Sequence, residues 1–327
     1  MPHAFVTGAT GFLGRHLVDV LGEAGWQITA MVRDPAAAEA LFGTKVRLTQ
    51  GDLTDPESVR GGMPKGTDAV FHTAADTSTW ARHRVRQHAI NVQGTQAVIE
   101  AATAKKAGRL IHVSSIAVFG IHHGIITEES ETRGTGSRVS YVKTKAAGEA
   151  CVRAAVQEGR LDAVIVNPTH IVGRYDTHNW ARLIRLVADG SLPGIPPGGG
   201  NFANGRTVAE AMLAAVDRGR RGERYILGGP NARFTDFIAV AGRTLNTPVT
   251  AKETPAWLLK GMARFLAPVG AVTGKKPLMT PEEAYFACES IDASSAKAVD
   301  ELGYREIPLE QSIAESVTFL RDQGLVT

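Results

Sequence analysis

A glycine-rich loop constrains what this chain of 327 residues can fold into more than any other feature. The segment Thr7-Gly-Ala-Thr-Gly-Phe-Leu-Gly14 directly follows an apolar run and opens a helix with apolar residues at 3.6-residue spacing. Gly8 permits a tight turn, Gly11 lets backbone approach a pyrophosphate, and Gly14 lets the helix lie close to the strand. The first N–H groups of the helix would bind the phosphates. This context favours a dinucleotide site over a plain glycine-rich turn.

Alternating strand and helix patterns predict an α/β fold with a parallel sheet covered by helices. The predicted strands are His3–Thr7, Trp26–Val32, Lys45–Thr49, Asp68–Thr73, Arg109–Ser114, Asp162–Asn167 and Glu223–Leu227. The longer helices are His83–Thr103 and Tyr141–Glu158, and the Pro- and Gly-rich segment 192–205 is predicted to be a loop. We expect a doubly wound parallel Rossmann sheet in residues 1–167 plus about 201–228. The remainder, about 168–200 plus 229–327, would form a smaller C-terminal substrate lobe.

Charge and cysteine content exclude several classes of protein. The 36 basic and 33 acidic residues are scattered along the chain, without a block that would bind nucleic acid or an anionic bilayer. Two cysteines are too few for a disulfide framework, no signal-peptide pattern is visible, and the histidines lack metal-ligand spacing. We therefore expect a soluble cytoplasmic protein with a small-molecule substrate and no metal, nucleic-acid or membrane partner.

Further motifs occur in an order that resembles the short-chain dehydrogenase/reductase family. The glycine spacing Gly-x-x-Gly-x-x-Gly is typical of it, and it is followed by Gly51-Asp52-Leu53, His72-Thr-Ala-Ala75, Asn91, Ser114-Ser115 and Tyr141-x-x-x-Lys145. The chain length and the segment Asn167-Pro-Thr-His-Ile-Val-Gly173 resemble the extended branch, which includes epimerases and dehydratases. Within it, the sequence is similar to dihydroflavonol reductase-like and sugar-epimerase-like members.

This resemblance implies a set of site residues. The catalytic set would be Asn91, Ser115, Tyr141 and Lys145. The cofactor would contact Gly8, Thr10, Gly11, Phe12, Leu13, Gly14, Arg33, Asp52, Leu53, Thr73, Ala74, Ala75, Lys145, Pro168 and Ile171. The substrate would contact Trp80, Ser115, Tyr141 and His170, although an aromatic such as Trp80 is as readily explained by packing.

The chemistry of the Tyr-Lys pair supports this assignment. Tyr141 and Lys145 lie four residues apart and therefore on one face of a helix. A phenol has a pKa of about 10, so we expect the Lys145 ammonium to favour the phenolate and also to bond the nicotinamide ribose. Tyr141 would then exchange a proton with a carbonyl or alcohol oxygen that Ser115 holds. A solvated surface pair is the alternative.

Four polar residues refine the expected cofactor and proton path. Arg33 comes first after the second strand and suits a 2′-phosphate, whereas Asp34 is explained as a helix N-cap, so NADP(H) is preferred and NAD(H) remains possible. Arg15 could add a second positive contact. Asn91 is either a backbone-bonded residue or a water-mediated proton relay to Lys145.

The predicted function is an NADP-dependent oxidoreductase that reduces a ketone or aldehyde, or oxidises a secondary alcohol. The alternatives are an NDP-sugar epimerase or dehydratase that retains its cofactor, and a non-catalytic sensor, against which the Tyr-Lys pair counts. Asn204 stands where sugar-nucleotide members usually carry His, which favours the oxidoreductase.

Two surfaces complete the expectations. The resemblance to the extended branch implies a homodimer through the two long helices, and Ala97, Ala101, Ala146 and Ala150 would be exposed and permit it, unless they face the sheet. The apolar stripe Trp257, Leu258, Leu259, Met262 and Phe265 is interpreted as core packing, with a membrane-surface or hydrophobic-substrate role as the alternative.

Overall fold

The computed structural model describes residues 1–273, 276–277 and 279–327. Its strands are β1 His3–Thr7, β2 Gln27–Val32, β3 Arg47–Gln50, β4 Ala69–His72, β5 Arg109–Val113, β6 Ala163–Pro168, β7 His170–Val172, β8 Gly199–Asn204, β9 Arg224–Leu227, β10 Asn231–Arg233 and β11 Ser290–Ile291. Its α-helices are α1 Phe12–Glu23, α2 Pro35–Phe42, α3 Pro56–Gly62, α4 Arg84–His88, α5 Gly94–Ala104, α6 Ser140–Gln157, α7 Trp180–Ala188, α8 Gly205–Asp217, α9 Phe234–Leu245, α10 Ala256–Thr273, α11 Pro281–Ala287, α12 Ala296–Leu302 and α13 Leu309–Asp322.

A parallel sheet forms the main part of the fold. Within the described ranges it has seven strands, in the order β3-β2-β1-β4-β5-β6-β9. Helices α1 and α8 cover one face and α3, α5 and α6 the other, and apolar clusters fill both interfaces. The strand order reverses between β1 and β4, and sheets of this kind bind ligands at such a point, outside the carboxyl ends of the strands. The predicted doubly wound α/β sheet is confirmed, and each predicted strand is present with ends shifted by at most two residues.

A second, smaller sheet was not predicted. Strand β8 pairs in parallel with β7 and β11 and antiparallel with β10. The predicted loop 192–205 is therefore wrong over 199–205, because β8 occupies 199–204 and α8 begins at Gly205. A Cβ on Gly199 would lie 2.6 Å from the Ala232 carbonyl oxygen, and one on Gly200 would lie 2.2 Å from the His170 ring. These glycines permit close packing of neighbouring strands, which a rule that assigns glycine-rich segments to loops does not recognise.

The two long helices are recovered, but their alanines lie elsewhere than expected. The predicted helix His83–Thr103 is divided into α4, a π-helical turn at Ala89–Gln93 and α5. Ala97, Ala101 and Ala146 are buried inside the chain, and only Ala150 of the four is exposed. The expected alanine face for a dimer is therefore wrong at three positions, because these side chains pack inside the fold, as the alternative held.

Helix α10 exposes most of its apolar stripe. Leu259 is buried towards α11, whereas Trp257 and Phe265 are 76% and 79% exposed, and Met262 and Leu258 are 49% and 39% exposed. Core packing is therefore confirmed for Leu259 and wrong for the other four, because only one side of the helix meets the protein. Among the described residues, no helix has the length and apolarity needed to cross a membrane.

Candidate active site

The glycine loop is built around a close approach between β1, α1 and the segment after β4. Gly8 has a φ of +76°, and a Cβ there would lie 2.6 Å from the backbone nitrogen of Ala74. The Thr73 hydroxyl donates to the Thr7 carbonyl oxygen at 2.7 Å, which fixes that segment against β1. A Cβ on Gly14 would lie 2.0 Å from the Gly8 carbonyl oxygen. The loop therefore tolerates only glycine at both positions.

The loop leaves an opening suited to a diphosphate. Gly11 is the N-cap of α1 and is exposed, and as a glycine it has no side chain to cover the first amides of the helix. Thr10 is exposed beside it, and Phe12 and Leu13 are half-buried at the start of α1. Open amides at a helix N-terminus bind anionic groups, so these residues fit the pyrophosphate of a dinucleotide.

Residues after β2 and β3 form the expected adenosine end. Arg33 is exposed, and the Asp34 carboxylate accepts from the Ala37 amide at 3.1 Å, as expected for the N-cap of α2. The pKa of Asp52 is lowered, chiefly by its bonds to the Thr54 amide and hydroxyl and further by the charge of Arg33. Leu53, the next residue, is buried. The positive group at this end of the sheet is therefore Arg33.

Arg15 takes a different position. Its guanidinium lies 4.0 Å from the centroid of the Tyr175 ring. Burial, the largest effect, lowers the pKa of Arg15, while the neighbouring Tyr175 and Asp19 act in the opposite direction. The structure thus places this arginine in a cation–π contact, and a role for it in holding cofactor stays a prediction.

Ser115, Tyr141 and Lys145 come together at the carboxyl end of β5. Ser115 caps a 3₁₀ turn, and its hydroxyl accepts from the Ala117 amide at 3.2 Å. Tyr141 lies in the first turn of α6, close enough to Ser115 for that side chain to act on the pKa of its phenol. Lys145, one turn later, is buried and donates from Nζ to the Val113 carbonyl oxygen at 2.6 Å. This arrangement is that of a proton donor, an oxygen-orienting hydroxyl and a buried cation.

The electrostatics of the trio differ from expectation in one respect. Burial raises the pKa of Tyr141, and the Ser115 side chain only partly opposes this shift. Burial also lowers the pKa of Lys145 to about 8, against the opposing effect of Glu149. Lys145 is not among the groups that shift the pKa of Tyr141, and its expected effect on the phenol stays a prediction.

Asn91 joins the loop after β4 to helix α6. Its side-chain oxygen accepts from the Asp76 amide at 2.8 Å, and Nδ2 donates to the Asp76 carbonyl at 2.9 Å and to the Thr144 hydroxyl at 3.1 Å. Asn91 lies in the π-helical turn, a distortion often found at functional sites. These contacts fit the backbone-bonded alternative, and the proton relay to Lys145 stays a prediction.

Trp80 lies in a loop that is fixed to the C-terminal part of the chain. Its half-buried ring packs edge-on against His83 at 5.0 Å between centroids. The neighbouring Thr79 hydroxyl donates to Glu283 Oε1 on α11 at 2.8 Å. On the same helix, Phe286 packs on the apolar cluster that also carries Tyr141. The loop and α11 thus form one wall near the catalytic trio.

The remaining expected contacts lie at the junction with the second sheet. Pro168 ends β6 opposite Leu227 of β9, and Ile171 of β7 packs on the main core. His170 lies in an aromatic cluster, 4.8 Å from the centroid of the Trp180 ring, and burial lowers its pKa to about 4. The structure does not bring His170 into a recorded contact with Ser115 or Tyr141 in the described part of the chain, so its substrate role stays a prediction.

A buried polar row beneath the trio was missed by sequence reasoning. His72 is hydrogen-bonded with the Thr7 hydroxyl at 2.8 Å, and the next strand places His112 beside it, with ring centroids 5.4 Å apart. Farther along, Asn167 Nδ2 donates to Glu149 at 2.9 Å. One signal could have found Glu149: it lies four residues after Lys145, on the same helix face.

Comparisons with known proteins agree with this geometry. The model of the NAD dependent epimerase/dehydratase family matches residues 4–228. A Synechocystis sp. protein provisionally named dihydroflavonol 4-reductase is 31% identical, over 98% of this chain and 95% of that protein. A Stigmatella aurantiaca ketoreductase, named for a farnesylated oxo-dihydroquinoline oxide, is 30% identical over 92% and 91%. The crystal structure of gox2253 superposes over all of both chains, with a TM-score of 0.87 and 28% identity. The chain therefore belongs to the NAD-dependent epimerase/dehydratase family and is a nicotinamide-dependent enzyme of the extended short-chain dehydrogenase/reductase type.

Proposed function

We propose that this protein is an NADP(H)-dependent carbonyl reductase, which in the reverse direction oxidises a secondary alcohol. The placement of the Tyr141 phenol near Ser115, with Lys145 buried one helical turn away, carries this proposal. Because burial raises the pKa of Tyr141, the phenol is protonated at neutral pH, which is the form that donates a proton to a carbonyl oxygen. Tyr141 can therefore act as the general acid in carbonyl reduction.

Each member of the trio has a separate task. The nicotinamide, when bound along the glycine loop, supplies the hydride. The Ser115 hydroxyl orients the substrate carbonyl oxygen, and Tyr141 transfers its phenolic proton to that oxygen as negative charge develops. Lys145, buried one helical turn away, stabilises the phenolate that remains, provided its ammonium stays charged.

The preference for NADP(H) rests on the residues after β2. Arg33 is exposed, where its planar guanidinium can meet a 2′-phosphate. Asp34, the acidic residue that could otherwise bind ribose hydroxyls, already caps α2 through the Ala37 amide. The exposed Arg33, next to an Asp34 carboxylate that is already hydrogen-bonded to the Ala37 amide, supports NADP(H) over NAD(H).

The substrate is proposed to be a ketone on an apolar framework. Ala117, Val139 and Val142 form an apolar cluster on which Tyr141 and Phe286 pack. Both relatives described above are named for reductions of substrates with ring systems. Apolar walls around a few polar groups are typical of sites for such ligands.

The decisive experiment combines protein and NADPH with a panel of small, aromatic and polycyclic ketones, and separately with UDP-sugars. Net oxidation of NADPH by an apolar ketone is the expected result. Tyr141→Phe should lower turnover by about 10²–10⁴-fold because the general acid is lost. It should leave NADPH affinity unchanged, whereas Lys143→Met on the exposed side of α6 should change neither quantity. Isomerised sugar without net cofactor oxidation would replace the reductase with an epimerase.

The assembly and compartment stay predictions. A homodimer through α5 and α6 would have to use Ala150 and the polar outer faces of these helices rather than the buried alanines. Light scattering at micromolar concentration tests it, and a monomer mass would end the idea. The cytoplasmic location is tested by fractionation of cells that produce the protein.

A further inference from the structure

A buried glutamate lies one helical turn beyond Lys145. Glu149 is 2% exposed and shares the inner face of α6 with Lys145 and Tyr141, because the three positions are four residues apart. The proposed reaction assigns it no task. A carboxylate buried to this degree is costly unless it is paired and hydrogen-bonded. Its presence in the sheet–helix interface therefore requires an explanation.

Two donor side chains face the Glu149 carboxylate. Asn167 Nδ2 donates to Oε2 at 2.9 Å, and the Arg224 guanidinium approaches Oε1 at 3.5 Å. Arg224 is itself held by bonds to the Thr132 hydroxyl and to the Glu128 carbonyl oxygen. Two elements thus fix a negative charge behind the catalytic trio.

The other titratable groups that face Lys145 carry no negative charge that would stabilise its ammonium. His72 on β4 and His112 on β5 are buried, and burial lowers the pKa of both, so they are neutral. Neither ring nitrogen of His112 has a hydrogen-bond partner among the described residues. Any proton on either ring would repel the ammonium of Lys145. Tyr141 is neutral as well, so Glu149 is the acidic group recorded as acting on Lys145 in the described part of the chain.

We propose that Glu149 is a positioning residue for Lys145: its buried carboxylate, one helical turn away on the same face of α6, keeps the ammonium charged. Asn167 and Arg224 serve this role in turn, since they hold the carboxylate in its orientation. This inference rests on the proposed function, because the charge on Lys145 matters for the phenolate formed in carbonyl reduction.

The test is the pH dependence of Glu149→Gln, which removes the charge and nearly preserves shape. Two quantities are followed from pH 6 to 10: kcat/KM for ketone reduction, and the Kd of NADPH from its fluorescence. In the wild type, both should worsen as Lys145 loses its proton. In Glu149→Gln, this alkaline loss should begin at a lower pH, by up to about one unit, since removal of a nearby opposite charge lowers the pKa of a lysine.

Matched variants separate charge from structure. Glu131→Gln makes the same change at an exposed ion pair with Arg133. It should leave the pH dependence of both kcat/KM and NADPH affinity as in the wild type. Glu149→Asp keeps the charge but places it farther from Lys145, because the side chain is one methylene shorter. The pH at which the alkaline loss begins should therefore fall by less than in the glutamine variant. Glu149→Asp also replaces the glutamine variant as the test if that protein fails to fold. The proposal is overturned if a folded Glu149 variant loses kcat/KM and NADPH affinity at the same alkaline pH as the wild type does.

The two readouts also separate this inference from the proposed function. If no ketone is reduced, the reductase proposal fails, but the alkaline loss of NADPH affinity still reports the charge of Lys145. A shift of that loss to lower pH in Glu149→Gln would then support the positioning role alone. Lys145→Met should abolish the alkaline loss in either case, which identifies the titrating group.

Discussion

Substitution of Gly8 by alanine tests the close packing of the cofactor loop. The added methyl group would lie 2.6 Å from the Ala74 nitrogen and 2.7 Å from the Thr73 hydroxyl oxygen, on a backbone with φ of +76°. Real Cβ atoms do not approach backbone this closely, so β1, the loop and the segment after β4 must separate. Two costs therefore combine: the left-handed backbone conformation and the clash.

A second glycine isolates the first of these costs. Gly25 has nearly the same φ, +75°, but no atom lies within 4 Å of the position that an added methyl group would take. Gly25→Ala should therefore lose only about 1–2 kcal/mol of unfolding free energy, the cost of a left-handed L-residue. Gly8→Ala should lose about 1–3 kcal/mol more from overpacking. At about 2 °C per kcal/mol, the Tm should fall by about 2–4 °C for Gly25→Ala and about 4–10 °C for Gly8→Ala.

Differential scanning fluorimetry and NADPH titration give the two measurements. Gly25→Ala should bind NADPH like the wild type, because it lies at the opposite end of α1 from the loop. Gly8→Ala should bind at least about tenfold more weakly, since movement of the loop displaces the amides that meet the pyrophosphate. Equal Tm losses for the two variants, with NADPH affinity intact in Gly8→Ala, would refute the steric argument.

Three further predictions follow from the site. Arg33→Ala should weaken NADPH binding by about tenfold and leave NADH binding unchanged, because only NADPH carries the 2′-phosphate. The preference is contradicted if the wild-type protein binds NADH tenfold more tightly than NADPH. Trp80→Ala should raise KM for bulky or aromatic ketones while turnover of a very small ketone stays the same; equal losses, or a large fall in Tm, would mark a structural residue. Burial lowers the folded-state pKa of His72 to about 3 and that of His170 to about 4. The unfolded chain therefore binds these protons at a higher pH than the folded protein does, and the free energy of unfolding falls as the pH drops below about 6.5. The loss should be about 2 kcal/mol per histidine at pH 5, and equal unfolding free energies at pH 7.5 and 5 would contradict it.

The main sheet could be predicted from sequence because its strands are short apolar runs between strong helix signals. The second sheet could not, since β8 reads Gly-Gly-Asn-Phe-Ala-Asn and lacks the β-branched residues typical of strands. Its formation depends on partners from distant parts of the chain, such as Ser290 beside Gly199. Local patterns carry no information about such pairings.

The shared position of Tyr141 and Lys145 could be predicted for a different reason: their spacing within one helix places them on a common face. The bond from Lys145 to the Val113 carbonyl could not, because it depends on how deeply α6 packs against β5. The same holds for Ala97 and Ala101, whose small side chains suit a dimer contact as well as a tight helix–sheet interface. Burial separates these cases, and sequence spacing does not.

The order in which the chain visits its two sheets limits how the protein can be divided. It leaves the main sheet after β6, forms β7 and β8, returns through α8 and β9, and leaves again for β10 and β11. Strand β8 crosses the predicted boundary at 201, and we propose that the division falls after Asn204 instead. A chain cut at residue 228 would keep every strand of the main sheet but strip β10 and β11 from β8, leaving unpaired backbone edges that promote aggregation. Chimeras that exchange substrate specificity between relatives must therefore transplant both segments of the second sheet together, through several junctions rather than one.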